Sequence, residues 1–560
     1  MPLTQRCLFR IIDPGFGKNN IFKFTANETV SLGPIAIATM ATRFLPWIDA
    51  EVISENNAYK KFGAPLDNEG IIDHLALQRM NPAEIIGISA SITNAVPRAL
   101  EIIKIYLTMP EDIRPKFIII GGWHAGDDPE PFLQAGADVV VHGEGDLIIV
   151  PLIEAWRNGS GLKDISGISY KSESGEIKRN GITDSQYENI DPSPKGFLMV
   201  PQNQMDLLPD PDISLVKFAK IEMMPVYRTR GCSGKCKFCR VKGSARCLSP
   251  KRLVDQIQNG YSYGIKRFFV VDDRSEEDID GFTAWLKFLV DWIESYNIKG
   301  LNISTQNRLS LAGYKNASEI LSLMSRACIK TVCIGLESPI KEELGAMAKP
   351  IKQELMLEWM KIWKSYGFAI HAMMIFGYPI QTGKPQPRNE KGQIMTAAER
   401  GKIFWNFIKK ARPTYLQLLI FTPIIGTEDY EWLEKENRIF HNIPLEFNDG
   451  LHVLYQPDGN ITPEEIQHEA VKLSRKFYAI VFWRPRQLAI IIHSLLVGGF
   501  VISMPFIWPP LLPFKGRQAW SWENKIRKIF VNRWGAQFII NKVIPNLKTF
   551  SAYLKQLGHK

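Results

Sequence analysis

Arg230-Gly231-Cys232-Ser233-Gly234-Lys235-Cys236-Lys237-Phe238-Cys239-Arg240 decides how the rest of the chain is read. It carries three of the seven cysteines at C-x3-C-x2-C spacing, on a loop expected to follow a strand. Thiolates so close together either share a metal or repel one another, and thiolate sets suit iron–sulfur clusters and zinc. A four-iron cluster held by only three cysteines leaves one iron open to a further ligand, which implies chemistry rather than electron storage. A zinc site completed by Cys247 or a histidine is the alternative, although structural zinc sites usually show paired, hairpin-like spacings. Three unconnected core cysteines fit neither the spacing nor the flanking glycines and lysines.

The remaining cysteines, Cys7, Cys247, Cys328 and Cys333, are scattered, so no disulfide framework is expected and the loop belongs in a reducing compartment. The 560 residues, 45% hydrophobic and 22% charged, are an ordinary globular composition with room for roughly two to four domains. The formal charge of +10 permits contact with an anionic surface without demanding it, and no nucleic-acid motif accompanies it, so no nucleic-acid partner is expected. Residues 1–13 lack a secretory pattern and read as a first strand, which points to the cytoplasm.

Downstream of the loop six strand–helix units can be counted. Strands are predicted near 224–229, 267–271, 301–304, 331–334, 370–376 and 416–421, with helices near 251–262, 279–295, 317–326, 354–366, 396–410 and 428–436. Six such units suggest a partial (β/α)6 barrel with its reactive groups at the carboxyl ends of the strands. Asp272-Asp273, Gln306-Asn307-Arg308, Gly335-Leu336-Glu337-Ser338, Gly377-Tyr378-Pro379 and Thr422-Pro423 stand at those ends.

Upstream, strands predicted at 8–12, 50–53, 85–89, 117–120 and 138–141 alternate with helices at 34–44, 71–79 and 96–106. That alternation argues a doubly wound, Rossmann-like parallel sheet whose ligand lies beyond the strand ends. Small or polar turns sit there: Asp13-Pro14-Gly15, Ser89-Ala90-Ser91, Gly121-Gly122-Trp123-His124-Ala125 and Gly143-Glu144-Gly145-Asp146. A hairpin is expected at 165–182, and 183–223, rich in Pro, Asp, Asn and Gln, reads as a linker. The expected boundaries are thus 1–160, 161–223, 224–440 and 441–560.

The cysteine loop, with Phe238 just before its third cysteine, resembles the signature of radical S-adenosylmethionine (SAM) enzymes. The resemblance implies a [4Fe-4S] cluster on Cys232, Cys236 and Cys239, SAM chelated to the open iron, and reductive cleavage to a 5′-deoxyadenosyl radical with an electron from a donor such as flavodoxin or ferredoxin. It assigns SAM contacts to Phe238, Asp272, Asp273, Gln306, Arg308, Gly335, Glu337, Ser338 and Gly377. Asp272-Asp273 stands where the family often has Gly-Gly-Glu.

Residues 1–160 are similar to the cobalamin-binding domain of one large subclass. That likeness assigns cobalamin contacts to Ser89, Ser91, Gly121, Gly122, His124, Gly143, Glu144 and Gly145. The mutases carry D-x-H-x-x-G after the first strand, whereas this chain has Asp13-Pro14-Gly15-Phe16-Gly17, with no histidine. His124 or His142 could in principle ligate cobalt, but a histidine at a strand end more often hydrogen-bonds a neighbour.

Residues 441–560 are expected to be mainly helical and hold an apolar stretch, 488–514. It is long enough for a membrane span yet broken by Gly498-Gly499, Pro505, Pro509-Pro510 and Pro513. Three readings stand: a buried helix, a patch for a lipid-like substrate, or peripheral membrane contact through the basic-flanked region 484–530. The expected function is a cobalamin-dependent radical SAM enzyme methylating an unactivated carbon of a hydrophobic or lipid-like small molecule. A cyclase or redox rearrangement enzyme without methyl transfer is the alternative, and a non-catalytic corrinoid or iron–sulfur carrier the alternative from another class.

Overall fold

The computed structural model describes residues 6–17, 20, 26–181, 198–241 and 243–479. Seven strands form the first sheet: β1 (Cys7–Asp13), β2 (Ile48–Ser54), β3 (Ile85–Ser89), β4 (Phe117–Gly121), β5 (Val139–Val141), β6 (Ile168–Lys171) and β7 (Ile177–Asn180). Their order is β2-β1-β3-β4-β5-β6-β7, parallel through β5, with the predicted hairpin added antiparallel as β6 and β7. Because β1 lies between β2 and β3, the chain leaves the sheet in opposite directions after β1 and β3, opening a crevice at their carboxyl ends.

Side-chain alternation divides these strands between two cores. Ile85, Phe117, Ile119 and Val139 face one side, with the helices Leu32–Phe44 and Ile149–Asn158. Ile86, Ile88, Ile118, Ile120 and Val140 face the other, with the helix Val96–Leu107. Residues 182–197, the end of the predicted hairpin and the start of the predicted linker, lie outside the described residues. Leu198, Val200, Met205 and Leu208 are buried in the first of these cores, so 198–208 is packed structure.

The second sheet is parallel throughout. Its order is β15 (Tyr415–Ile420), β14 (Ala369–Phe376), β13 (Ile329–Glu337), β12 (Asn302–Asn307), β11 (Arg267–Val270) and β8 (Met224–Val226), each strand beside its predecessor in sequence. The strand predicted at 224–229 is shorter than expected, for a local reason. Asp272 Oδ1 accepts the backbone N–H of Arg228 at 2.7 Å and of Thr229 at 2.8 Å, taking groups that a longer ladder would use. Thr229–Arg230 (β9) turns away to pair antiparallel with Arg246–Cys247 (β10), so the cysteine loop is closed at its base by a two-residue ribbon.

Helices run between the strands near the predicted positions. The helix Ala397–Ala411 opens on a capping box made by Thr396 and Glu399. Beyond β15, Ile439 bridges to Tyr455, and the turn Leu445–Phe447 between them reaches the first domain at Thr93–Ala95. The helix Pro463–Ala479 then packs on β15 and on the helix Ala397–Ala411. Among the described residues no helix is long and apolar enough to cross a membrane, and the apolar stretch 488–514 lies outside them.

Candidate functional site

The cysteine loop is fastened from two sides. Toward the second sheet, Ser233 N–H donates to Glu277 Oε1 at 2.8 Å and Lys237 N–H to the Met347 carbonyl at 3.0 Å. Glu277 is itself paired with Arg274 at 2.8 Å. Phe238 packs edge-on to Tyr378 with centroids 6.5 Å apart. Toward the first sheet, three arginines of the loop and its ribbon each grip a carboxylate with two N–H groups. Arg230 holds Asp146 at 2.8 and 3.1 Å, Arg246 holds Glu144 at 2.8 and 3.0 Å, and Arg240 holds Asp127 at 2.6 and 2.9 Å. Planar, bidentate pairing of this kind fixes geometry as well as charge.

The thiols of Cys232, Cys236 and Cys239 are free. Burial raises the Cys236 thiol, and raises that of Cys239 to about 12, so a metal centre would have to displace their protons. Among the described residues no three His, Cys, Asp or Glu side chains are gathered as ligands of one metal ion. A four-iron cluster asks for something different, one thiolate on each of three irons, and three cysteines on one short loop supply that donor set.

The residues predicted to contact SAM fall into two groups. Arg308 and Glu337 gather beside the loop, joined there by Lys349, which was not among the predicted residues. A methyl group on Gly234 would lie 3.1 Å from Arg308 Nη2 and 3.2 Å from Cys232 Sγ, so that guanidinium lies close to the loop. Lys349 Nζ donates to Glu337 Oε1 at 2.7 Å, and Glu337 holds a φ of 56°, a conformation costly for a residue with a side chain. Gly335 makes room for this pair, since a methyl there would lie 2.3 Å from Glu337 Oε1.

The members of the other group make contacts within the chain. Asp272 is 1% exposed and pins the β8–β9 turn, and burial lifts its pKa to about 7. Gln306 donates to the Asp272 carbonyl at 3.0 Å. Ser338 is buried, donating to Glu343 and accepting from Ile340 N–H. Gly377 lets the Pro463–Ala479 helix approach, a methyl there lying 2.7 Å from Ile466 Cγ2. Asp273 differs from its neighbour by opening on a cavity, whose walls lift its pKa to about 6 by desolvation.

That cavity, of about 400 Å³, joins the two halves of the chain. Its apolar end lies between β1 and β3, against Phe9, Ile11, Pro34 and Ile37. Ser89, Ser91, Gly121, Gly122, Gly143, Glu144 and Gly145, the residues assigned to cobalamin by resemblance, line it together with Trp123. Thr229, Arg230, Gly231 and Asp273 close it from the second domain. Glu144 reaches it already engaged, accepting from Val200 N–H at 2.7 Å as well as from Arg246.

His124 is not among the lining residues. It is buried, with Nδ1 3.1 Å from Thr93 Oγ1. His142 is satisfied at both nitrogens, by the Gly126 carbonyl at 2.8 Å and Ser169 Oγ at 2.8 Å, which leaves no lone pair for cobalt. Burial drives its pKa down to about 4. The folded chain therefore binds fewer protons at this group than the unfolded chain between about pH 4 and 6.5, and stability is lost as pH falls through that window. His142→Asn removes the titration, so between pH 7.5 and 5.0 the wild type should lose about 2 kcal/mol more than the variant, read from urea midpoints.

Sequence reasoning missed the three arginines, Lys349, and the carboxylates Asp127, Glu276 and Glu277. The buried Glu276 accepts from Arg308 N–H at 3.0 Å and Asn307 Nδ2 at 2.8 Å. The signal available was charge pattern: basic residues flank the cysteines while acids end the turns after β4 and β5.

The radical SAM superfamily model matches residues 226–385, from the end of β8 past β14. Residues 226–385 carry a radical SAM domain. The chain is 28% identical over 424 residues to an uncharacterized methyltransferase of Pyrococcus horikoshii, covering 74% of this chain and 81% of the relative. It is 24% identical over 250 residues to the hopanoid C-2 methylase of Rhodopseudomonas palustris, 44% of each chain. Among solved structures it resembles the cobalamin-dependent S-adenosylmethionine radical enzyme OxsB with a TM-score of 0.60 at 14% identity, over 97% of this chain and 81% of that one. The last likeness is one of fold.

Proposed function

We propose that this enzyme is a cobalamin-dependent radical SAM methyltransferase acting on an unactivated carbon of a hydrophobic small molecule. The observation that carries the reading is the single cavity running from the β1–β3 crevice to Arg230, Gly231 and Asp273, beside the cysteine loop. A corrinoid held in the crevice would face the cluster across the space in which a substrate carbon has to lie, so the fold supplies proximity and orientation. The curated relatives, methyltransferases by name, support transfer of a methyl group, and the hopanoid enzyme among them supports an apolar acceptor.

Bound there, the cluster and SAM would supply a hydrogen-abstracting radical, and the corrinoid a methyl group. The chain's own residues hold and exclude. Cys232, Cys236 and Cys239 ligate the cluster. Arg308 presents cationic charge to the SAM carboxylate, while Lys349 and Glu337 hold each other beside it. Ser89, Ser91 and the glycines at 121, 122, 143 and 145 let a large planar ring approach backbone on the first domain. Asp273, facing the cavity with a raised pKa, can donate or accept a hydrogen bond near neutrality.

The test uses anaerobic, cluster-loaded protein with aquacobalamin, reductant, SAM labelled in its methyl group, and a detergent-dispersed hopanoid. Label in the hopanoid, with 5′-deoxyadenosine and S-adenosylhomocysteine formed together, is the expected result. Deoxyadenosine with an unlabelled, rearranged product would replace this reading by the cyclase. Neither nucleoside product from protein carrying both cofactors would end it.

A further inference from the structure

Arg240 follows the third cysteine directly, and its side chain spans three parts of the molecule. Its guanidinium donates to both oxygens of Asp127, a residue of the first domain whose side chain is 1% exposed. The same guanidinium lies over the Trp123 ring, 4.9 Å from the centroid. Trp123 lines the cavity, and Asp127 closes the short helix that Trp123 opens. On the opposite side Gly426, in the turn after β15, approaches so closely that a methyl group would lie 2.5 Å from Asp127 Oδ2 and 2.6 Å from Arg240 Nε. A larger residue there would have to displace the pair. One guanidinium thus ties the residue after Cys239 to a wall of the cavity at a dry junction of three segments.

The other arginine contacts of the loop meet the cavity at a different place, through Glu144 and Asp146. Arg230 and Arg246 lie at the ribbon that closes the base of the loop. Phe238 and Lys237 fix the loop to the second domain. Arg240 joins the Cys239 end of the loop to the Trp123 ring on the first domain's side of the cavity, whereas Arg230 at the Cys232 end lies over Tyr227, a ring of its own domain.

We propose that Arg240 is a positioning residue that couples the two cofactor sites: a corrinoid against Trp123 sets the pose of the guanidinium, and through it the pose of Cys239 and of the SAM held at the cluster. The inference rests on the proposed cobalamin-dependent reading. Coupling of this kind is reciprocal, so each ligand tightens the other by the same factor.

The experiment is calorimetric titration of unreduced, cluster-containing protein with SAM, in the absence and presence of saturating aquacobalamin, and the reverse titration. In the wild type aquacobalamin should lower the SAM Kd about fivefold or more, and SAM should lower that of aquacobalamin equally. Arg240→Lys keeps the charge but loses the fork and the planar stack, and should bring both ratios close to 1. A paired Arg240→Leu and Asp127→Leu variant removes the clamp without leaving a lone buried charge, and should do the same with its cluster loaded. Wild type without coupling, or either variant retaining it, would overturn the inference while leaving the proposed function standing. Wild type that loads a cluster but binds no aquacobalamin would instead remove the reading beneath it.

Discussion

Cys236→Ala is expected to abolish cluster assembly and to reduce 5′-deoxyadenosine formation to background while leaving the chain folded. The loop that carries Cys236 owes its course to groups that survive the change. Arg230, Arg240 and Arg246 remain on Asp146, Asp127 and Glu144, Ser233 N–H remains on Glu277, and Lys237 N–H remains on the Met347 carbonyl. The thiol itself is partly buried and protonated in the metal-free chain, so its loss removes little packing and no charge. A cost of about 1 kcal/mol corresponds to roughly 1 °C in the melting midpoint of a chain this size. Two thiolates cannot hold three irons, however, and Arg308 and Lys349 would be left beside an unformed centre. Iron content, absorbance and deoxyadenosine, measured with the melting midpoint, separate loss of cluster from loss of fold. Turnover at the wild-type rate would sink the assignment of this loop.

Much of the architecture is legible because it rests on periodicity. Isoleucine-rich runs such as Ile85–Ser89 and Phe117–Gly121 are buried on both faces, as a central parallel strand requires, and their neighbours carry the spacing of helices. The cysteine loop is legible because three thiols at that spacing have few other uses. What the sequence leaves hidden is the partnership of charges across domains. Glu144 and Asp146 are as consistent with ligand contact as with ion pairing until Arg246 and Arg230 are seen to fold onto them, about 100 and 80 positions later in the chain.

The same limit applies to the residues at the strand ends. Asp272, Ser338 and Gly377 stand at strand ends where reactive groups are expected. Asp272 caps a turn, Ser338 binds Glu343 of the following helix, and Gly377 accommodates a helix that begins at Pro463. Position along a strand is encoded locally. The direction in which an end residue is consumed depends on segments far away in sequence, and periodicity carries no record of them.

Gly122→Ala is expected to weaken aquacobalamin binding at least about 100-fold, close to 3 kcal/mol, and to lower the melting midpoint. Gly122 has φ 113° and ψ 164°, a region open essentially to glycine alone, so any side chain carries about 1–3 kcal/mol of strain. Space compounds the strain. A methyl group would lie 2.7 Å from Ala90 C and from Ser91 N, backbone atoms rather than a flexible side chain. Those atoms cannot withdraw freely, because Ala90 N–H donates to the Gly121 carbonyl at 2.7 Å and the Ala90 carbonyl accepts from Ala125 N–H at 3.1 Å. Relief therefore parts the ends of β3 and β4, the two strands whose turns carry Ser91 and Trp123 into the cavity. The neighbouring substitution separates strain from occlusion. A methyl on Gly121 meets nothing within 4 Å, so Gly121→Ala should keep the wild-type melting midpoint and lose affinity only to the extent that its methyl group intrudes on the ligand. Equal affinity of wild type and Gly122→Ala in a spectrophotometric titration with aquacobalamin would mean that the corrinoid does not lie against this turn.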